Sequence, residues 1–267
     1  MKCWEPTLVP DEAAVSDDGI TESAMDAGTA ARPATLLAAS GVVAGYGTPV
    51  VRGVSLQVGD GEVVSIVGPN GCGKTTLLKA LLGIVSMTSG KVELAGEDIT
   101  KTETHLLTRK QIGYVPQNRE VFDSLTVFEN LQIAGHGMDK RLFRERLTST
   151  LEASPQLAML QGRRAGVLSG GERRILAIAM ALLVPRRLLV LDEPTAALAP
   201  GLASRFLESQ VPAIAARGSA VLIVEQRVHA CFSVSDWAYS MLAGEIHMSG
   251  RPEHLLASDS FAKSLVG

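Results

Sequence analysis

Eight consecutive residues, Gly68-Pro69-Asn70-Gly71-Cys72-Gly73-Lys74-Thr75, fit the spacing G-x-x-x-x-G-K-[ST] at every fixed position. The chemistry of that spacing is anion binding. Glycines let the backbone curl until successive N–H groups face one point, and the helix that follows adds free N–H donors and a positive dipole end. Lys74 can reach the β- and γ-phosphates of a nucleotide, and the Thr75 hydroxyl can ligate Mg²⁺. Thr76 completes the loop. Cys72 fills one of its free positions as a small residue. A helix start nearby can lower a thiol pKa, so alkylation there is expected to compete with nucleotide.

Two neighbouring acids, Asp192 and Glu193, follow the apolar run Leu188-Leu189-Val190-Leu191. Adjacent strand residues point to opposite sides, so two such acids can do different work. Asp192 is placed to hold Mg²⁺ and Glu193 to polarise an attacking water. A third element, Leu168-Ser169-Gly170-Gly171-Glu172, combines a hydroxyl, two glycines and a helix start. It reads as a second anion site or as an N-capped helix, with Ser169 the cap and Glu172 three residues on.

Elements must hold these residues in place. Glu62–Val67 reads as a buried strand ending at the loop, and Lys74–Leu82 as a helix stopped by Gly83. Leu36–Val43, Ser55–Val58, Leu188–Leu191 and Ala220–Val224 read as further strands, with short strands and turns near Lys91–Thr100. Asp139–Glu152 and Gly171–Leu183 read as helices. Strands alternating with helices predict an α/β fold with a mostly parallel sheet.

The composition bounds the rest. The chain has 267 residues, is 46% hydrophobic and carries a net charge of −3. Residues 1–35 hold seven acids and two bases, a charge of −5, which leaves +2 for residues 36–267. The first segment, without apolar periodicity or a secretory pattern, is expected to be a disordered or weakly ordered acidic extension. No global basic field recruits nucleic acid. Lys140, Arg141, Arg144, Arg146, Arg163 and Arg164 are diluted by acids and read as a solvated face. Three cysteines are too few and too scattered for a disulfide framework or a zinc site, which points to a reducing cytoplasm. The longest apolar run, Ile175–Val184, has ten residues, whereas a membrane-spanning helix needs about 20.

From residue 36 onward the chain resembles the ATP-binding subunits of ABC transporters, with Leu168–Glu172 matching their signature segment. The resemblance implies a P-loop NTPase fold: an ABC nucleotide-binding domain over 36–267 with a RecA-like core, an antiparallel β-subdomain and a small helical subdomain at about 104–165. It implies ATP and Mg²⁺ as ligands. Tyr46 matches the aromatic that stacks on adenine. Gln117 matches the glutamine that touches Mg²⁺ and the membrane-domain contact, and Asp192 and Glu193 match the metal-binding and catalytic carboxylates. Gln226 stands where the superfamily usually has a switch histidine, and can hydrogen-bond the γ-phosphate without exchanging a proton. His229, three positions on, reads as a surface histidine. Ser169, Gly170, Gly171 and Glu172 would face ATP on a second subunit.

Val115–Phe122, Leu125–Leu131, Asp192–Pro200 and Val224-Glu225-Gln226 are similar to the second ATPase of branched-chain amino-acid importers. Urea and short-amide importers share these marks. Arg173, Arg174 and Met180 depart from the pattern, which more often has Gln-Gln and then arginine. The resemblance implies a second nucleotide-binding subunit (identical or related), separate integral-membrane permease subunits, an external substrate-binding protein, and a place at the cytoplasmic face of the membrane. Three other readings compete. Translation-factor types carry two nucleotide domains and repair types a long coiled coil, whereas 95 residues separate Lys74 from Ser169. A lipid or polysaccharide exporter is supported by Glu172-Arg173-Arg174 but lacks its switch histidine. A regulator that binds without hydrolysing is opposed by Glu193.

Overall fold

The structure, a computed structural model, describes residues 32–118, 121–258 and 261. The acidic extension therefore lies outside the described residues as far as residue 31. In chain order the elements are β1 (Thr35–Tyr46), β2 (Thr48–Gly59), β3 (Val63–Val67), α1 (Lys74–Leu81), β4 (Met87–Leu94), β5 (Glu97–Asp98), α2 (Thr104–Leu107) and β6 (Ile112–Val115). Then come α3 (Val127–Ala134), α4 (Lys140–Ala153), α5 (Pro155–Leu160), α6 (Gly170–Leu183), β7 (Leu188–Asp192), α7 (Pro200–Arg205) and α8 (Val211–Ala215). The chain ends with β8 (Ala220–Glu225), α9 (Val228–Phe232), β9 (Trp237–Leu242), β10 (Glu245–Gly250) and α10 (Pro252–Leu256).

Six strands form one sheet in the order β10-β9-β3-β8-β7-β6. All neighbours are parallel except the antiparallel β10–β9 pair at one edge. Every residue of β3, β7 and β8 is buried, because both faces of this sheet are covered, as parallel sheets require. Val64, Ile66, Val190, Leu222 and Val224 turn to one side, where Leu77 and Leu78 of α1 and the inner residues of a second sheet close the core. Val63, Leu189, Leu191, Val221 and Ile223 turn to the other side, against Ala177 and Ile178 of α6 and Phe206, Leu207 and Val211. This is the period-two alternation of a strand, with both phases apolar.

The second sheet is antiparallel, in the order β2-β1-β4-β5. Its two longest strands exceed the expectations Leu36–Val43 and Ser55–Val58, each running to 12 residues. Glycines and a proline, which look like breakers, hide the rest of each strand. Register shifts interrupt the β1–β2 ladder between Ala39 and Val42, around Gly41. Pro49 is tolerated because β2 is an edge strand.

The segment 104–165 differs from a purely helical one. Ile112–Val115 is a strand paired with β7, Tyr114 opposite Val190; four residues are too short a run to betray a strand. The helical layer proper is α3 to α5. Val127, Leu131 and Leu157 from this layer pack on Leu176, Ala179 and Leu183 of α6. So α6 touches the sheet with one stripe and the helical layer with another. Helix α4 buries no residue completely and is N-capped by Asp139, which accepts from Arg141 N–H at 2.9 Å. Lys140, Arg141, Arg144, Arg163 and Arg164 are exposed and Arg146 half-buried. Helices α7 and α8 flank a π-helical turn, Phe206–Gln210. Pro212 explains it: without an N–H, it cannot bond the carbonyl four residues back. No helix of the described residues is long and apolar enough to cross a membrane.

Candidate active site

The phosphate loop leaves β3 and enters α1. Gly68 passes so close to β9 that a Cβ there would lie 2.1 Å from the Met241 carbonyl oxygen. Gly73 sits at φ +107° immediately before α1, with no side chain capping the helix, so the first N–H donors of α1 are left for a ligand. Lys74 is buried, and its ammonium donates to the loop's own carbonyls, Gly68 at 2.8 Å and Pro69 at 2.9 Å. The Cys72 sulfur lies 3.9 Å from the same nitrogen. A cavity of about 320 Å³ opens over the loop, lined by Val50, Asn70, Gly71, Gly73, Lys74, Thr75, Thr76, Gln117, Glu193 and Gln226.

Of the two carboxylates at the end of β7, Glu193 lines this cavity and Asp192 lies behind it against Thr75, an arrangement not produced by strand alternation. The strand stops at Asp192, and Glu193 takes a left-handed backbone, φ +48°. That conformation is uncommon outside glycine and turns the next side chain out of the pleat. Both acids therefore reach the phosphate loop. The Thr75 hydroxyl donates to Asp192 Oδ1 at 2.9 Å and the Tyr114 hydroxyl to Oδ2 at 3.4 Å. Asp192 is fully buried. Burial, then the charge of Glu193, pushes its carboxyl above the ordinary carboxylate value, against the opposing Thr75 and Tyr114 hydrogen bonds. Burial, with Asp192 adding to it, likewise pushes the Tyr114 phenol up.

Glu193 is held between two glutamines. Gln117 Nε2 donates to Oε2 at 2.8 Å and Gln226 Nε2 donates to Oε1 at 2.8 Å. Gln117 comes from the loop after β6 and Gln226 from the residue after β8, so three parallel strands end around one carboxylate. This is the place where open parallel sheets bind ligands.

Three supports were not legible in the sequence. Glu225, buried at the end of β8, accepts from Thr195 N–H at 2.9 Å and the Thr195 hydroxyl at 2.7 Å, fixing the turn after Glu193. Asn130, buried in α3, accepts from Phe122 N–H at 2.8 Å and donates to Thr126 O at 2.9 Å, holding the segment downstream of Gln117. Arg174 bonds the carbonyls around Glu193. Its signal was a charge at 174 on the apolar stripe that continues through Ala177 and Ile178.

Other residues stand apart. Tyr46 is 64% exposed at the β1–β2 turn and does not line the phosphate cavity. Nor do Ser169, Gly170, Gly171 and Glu172. Ser169 caps α6: its hydroxyl accepts from Glu172 N–H at 3.3 Å, and Glu172 Oε2 accepts from Ser169 N–H at 2.8 Å. That backbone bond holds the Glu172 carboxyl below its ordinary value. His229 is exposed on α9.

Residues 51–196 match the family model described as ABC transporter. The chain belongs to the ABC transporter family. It is an ABC-type ATP hydrolase and binds nucleotide in the P-loop fold described above. It is 39% identical to the probable branched-chain amino acid transport ATP-binding protein LivF of Archaeoglobus fulgidus, over 80% of this chain and 91% of that protein. It is 33% identical to the lipopolysaccharide export system ATP-binding protein LptB of Haemophilus influenzae, over 82% of this chain and 91% of that one. The solved ADP conformation of MJ1267, an ATP-binding cassette of an ABC transporter, superposes with a TM-score of 0.75 at 29% identity, covering 87% of this chain and 99% of that chain.

Proposed function

We propose that this ABC ATPase drives import of branched-chain amino acids through separate membrane permease subunits. The observation that carries the hydrolytic part is Glu193 held by Gln117 and Gln226 over the phosphate loop. The substrate class rests on the likeness to LivF, together with Leu198-Ala199-Pro200 and Gln226.

In this reading the backbone of Gly68–Thr76 cradles the phosphates of ATP, and Lys74 leaves its loop carbonyls for the β- and γ-phosphates. Asp192 fits a divalent cation: it is a buried carboxylate that accepts from two hydroxyls, Thr75 and Tyr114. Mg²⁺ takes few protein ligands besides phosphate and water. Thr75, Asp192 and Gln117 would hold it, and it would neutralise charge developing on the phosphates. Glu193 orients the attacking water and accepts its proton, while Gln117 and Gln226 fix the two carboxylate oxygens. Tyr46 stacks on adenine. Ser169–Glu172, outside this chain's own cavity, serves ATP on a second nucleotide-binding subunit, identical or related. The ATPase domain spans 36–267 and rests at the cytoplasmic face of the membrane on its permeases, with an external binding protein delivering substrate.

The test is transport. In the source organism, deletion of this chain should abolish uptake of labelled leucine, isoleucine and valine, and the wild-type gene but not Lys74→Ala should restore it. Unchanged uptake would overturn the substrate assignment. A second reading, lipid or polysaccharide export, is favoured by the likeness to LptB and by Glu172-Arg173-Arg174. It requires a cell-envelope defect in the same deletion strain, with amino-acid uptake intact.

A further inference from the structure

Arg174 is almost completely buried, 2% exposed, on the helix that the Ser169–Glu172 segment opens. A buried guanidinium is costly unless its N–H groups are satisfied. Four of its hydrogen bonds go to carbonyl oxygens. Nε donates to Pro194 O at 2.9 Å, Nη1 to Pro116 O at 2.6 Å, and Nη2 to both Asp192 O and Glu193 O at 2.7 Å.

The distribution of these acceptors is informative. Three belong to successive residues, Asp192, Glu193 and Pro194. In an extended strand, successive carbonyls point to alternate sides, so one planar group could not collect all three. They converge here because Glu193 is left-handed, φ +48°. The fourth acceptor belongs to Pro116, the residue before Gln117. One rigid fork of donors therefore ties together the backbone that carries Glu193 and the backbone that carries its partner Gln117. Arginine suits the task because its donors are fixed in a plane; lysine offers a flexible point charge instead.

We propose that Arg174 is a positioning residue for ATP hydrolysis: it holds the left-handed turn at Glu193 and the start of the Gln117 loop in one geometry, and so aims the catalytic carboxylate. This rests on the assignment of Glu193 as the group that aligns water. Arg174 does not itself line the cavity over the phosphate loop. A displacement of about 1 Å at the reacting group is enough to lower a rate about 100-fold, and releasing the turn would allow such a displacement.

The experiment compares the full-length wild type with Arg174→Met, Arg174→Lys and Glu193→Gln. Each is measured for nucleotide affinity, for steady-state hydrolysis normalised to titrated nucleotide sites, and for thermal unfolding. Arg174→Met, which has the bulk but no donors, should bind ATP within about 3-fold of wild type, with KM little changed, while kcat per occupied site falls about 100-fold. Arg174→Lys should recover part of that loss, since an ammonium still reaches some of the carbonyls. Hydrolysis at the wild-type kcat per occupied site in both Arg174 variants would overturn the proposal. So would failure of both to fold, or loss of nucleotide affinity in step with kcat, since either marks a purely structural residue. Glu193→Gln separates the two levels: if it hydrolyses normally, the reading of Glu193 fails, whatever the Arg174 variants do.

Discussion

Two helices of this chain begin at glycines, and they begin differently. Helix α1 follows Gly73, which offers no side-chain cap and sits at φ +107°. Helix α6 follows Ser169 and opens with a complete capping box, Glu172 in its first turn. In α1 the first N–H groups and the positive dipole end remain open for an anion. In α6 the cap already satisfies an N–H group, and the Glu172 carboxylate already lies against the dipole. Similar words in the sequence thus encode one helix start left open to an anion and one that its own side chains close.

Variants at each helix start can break this contrast. The largest effect is expected from Lys74→Ala. Charge-assisted hydrogen bonds contribute about 1.5–3 kcal/mol each, so the loss should reach about 3 kcal/mol, roughly 100-fold in nucleotide affinity, read by equilibrium binding. Gly73→Ala should come next. A left-handed non-glycine costs about 1–3 kcal/mol, and the new Cβ would press on Val50 O at 3.3 Å. Both thermal stability and nucleotide affinity should fall.

At α6, Ser169→Ala should cost about 1 kcal/mol of cap, whereas Ser169→Gly should cost only about a few tenths. Neither should weaken ATP binding by the isolated chain. Comparable losses of hydrolysis in the two would assign the hydroxyl to the partner's nucleotide rather than to the cap. A drop in ATP affinity of the isolated chain would break the contrast.

The smallest effect on stability is expected at Asp192. Its folded pKa is raised from 3.8, chiefly by burial. The fold therefore holds that proton longer than the unfolded chain does, and this site loses stability as pH rises from 3.8 through the raised value. Asp192→Asn removes the slope. Its melting temperature should exceed that of wild type by a margin that grows with pH across that window, while Mg²⁺-dependent hydrolysis is lost. An equal margin at all pH values would contradict the burial argument.

What was legible in the sequence was whatever is local in the chain. The phosphate loop is eight contiguous residues between a strand and a helix, and Asp192-Glu193 ends an all-apolar run, so both could be read directly. Gln117 and Gln226 came through resemblance, since nothing in their own neighbourhoods announces that they meet at one carboxylate. The bulged pairing of β1 and β2 was obscured by Gly41 and Pro49, and β6 by its four-residue length. The turn at Glu193 was misread as strand alternation, because a left-handed glutamate depends on distant partners such as Arg174. Side chains that bond backbone carbonyls across the fold leave little trace in composition or spacing.

The position of β3 also governs when the enzyme comes into being. The strand that delivers the phosphate loop lies between β8 and β9, and Val63 N–H is held by Asp236 Oδ2, a partner 173 residues further along the chain. At synthesis rates of 5–20 residues per second, roughly 10–35 s pass between making the two. The loop is among the early parts of the domain to be translated, yet its flanking strands are among the last. A ribosome-bound chain that lacks β8 and β9 carries every residue of the phosphate loop without the two strands that flank β3, so the loop's support must wait for them.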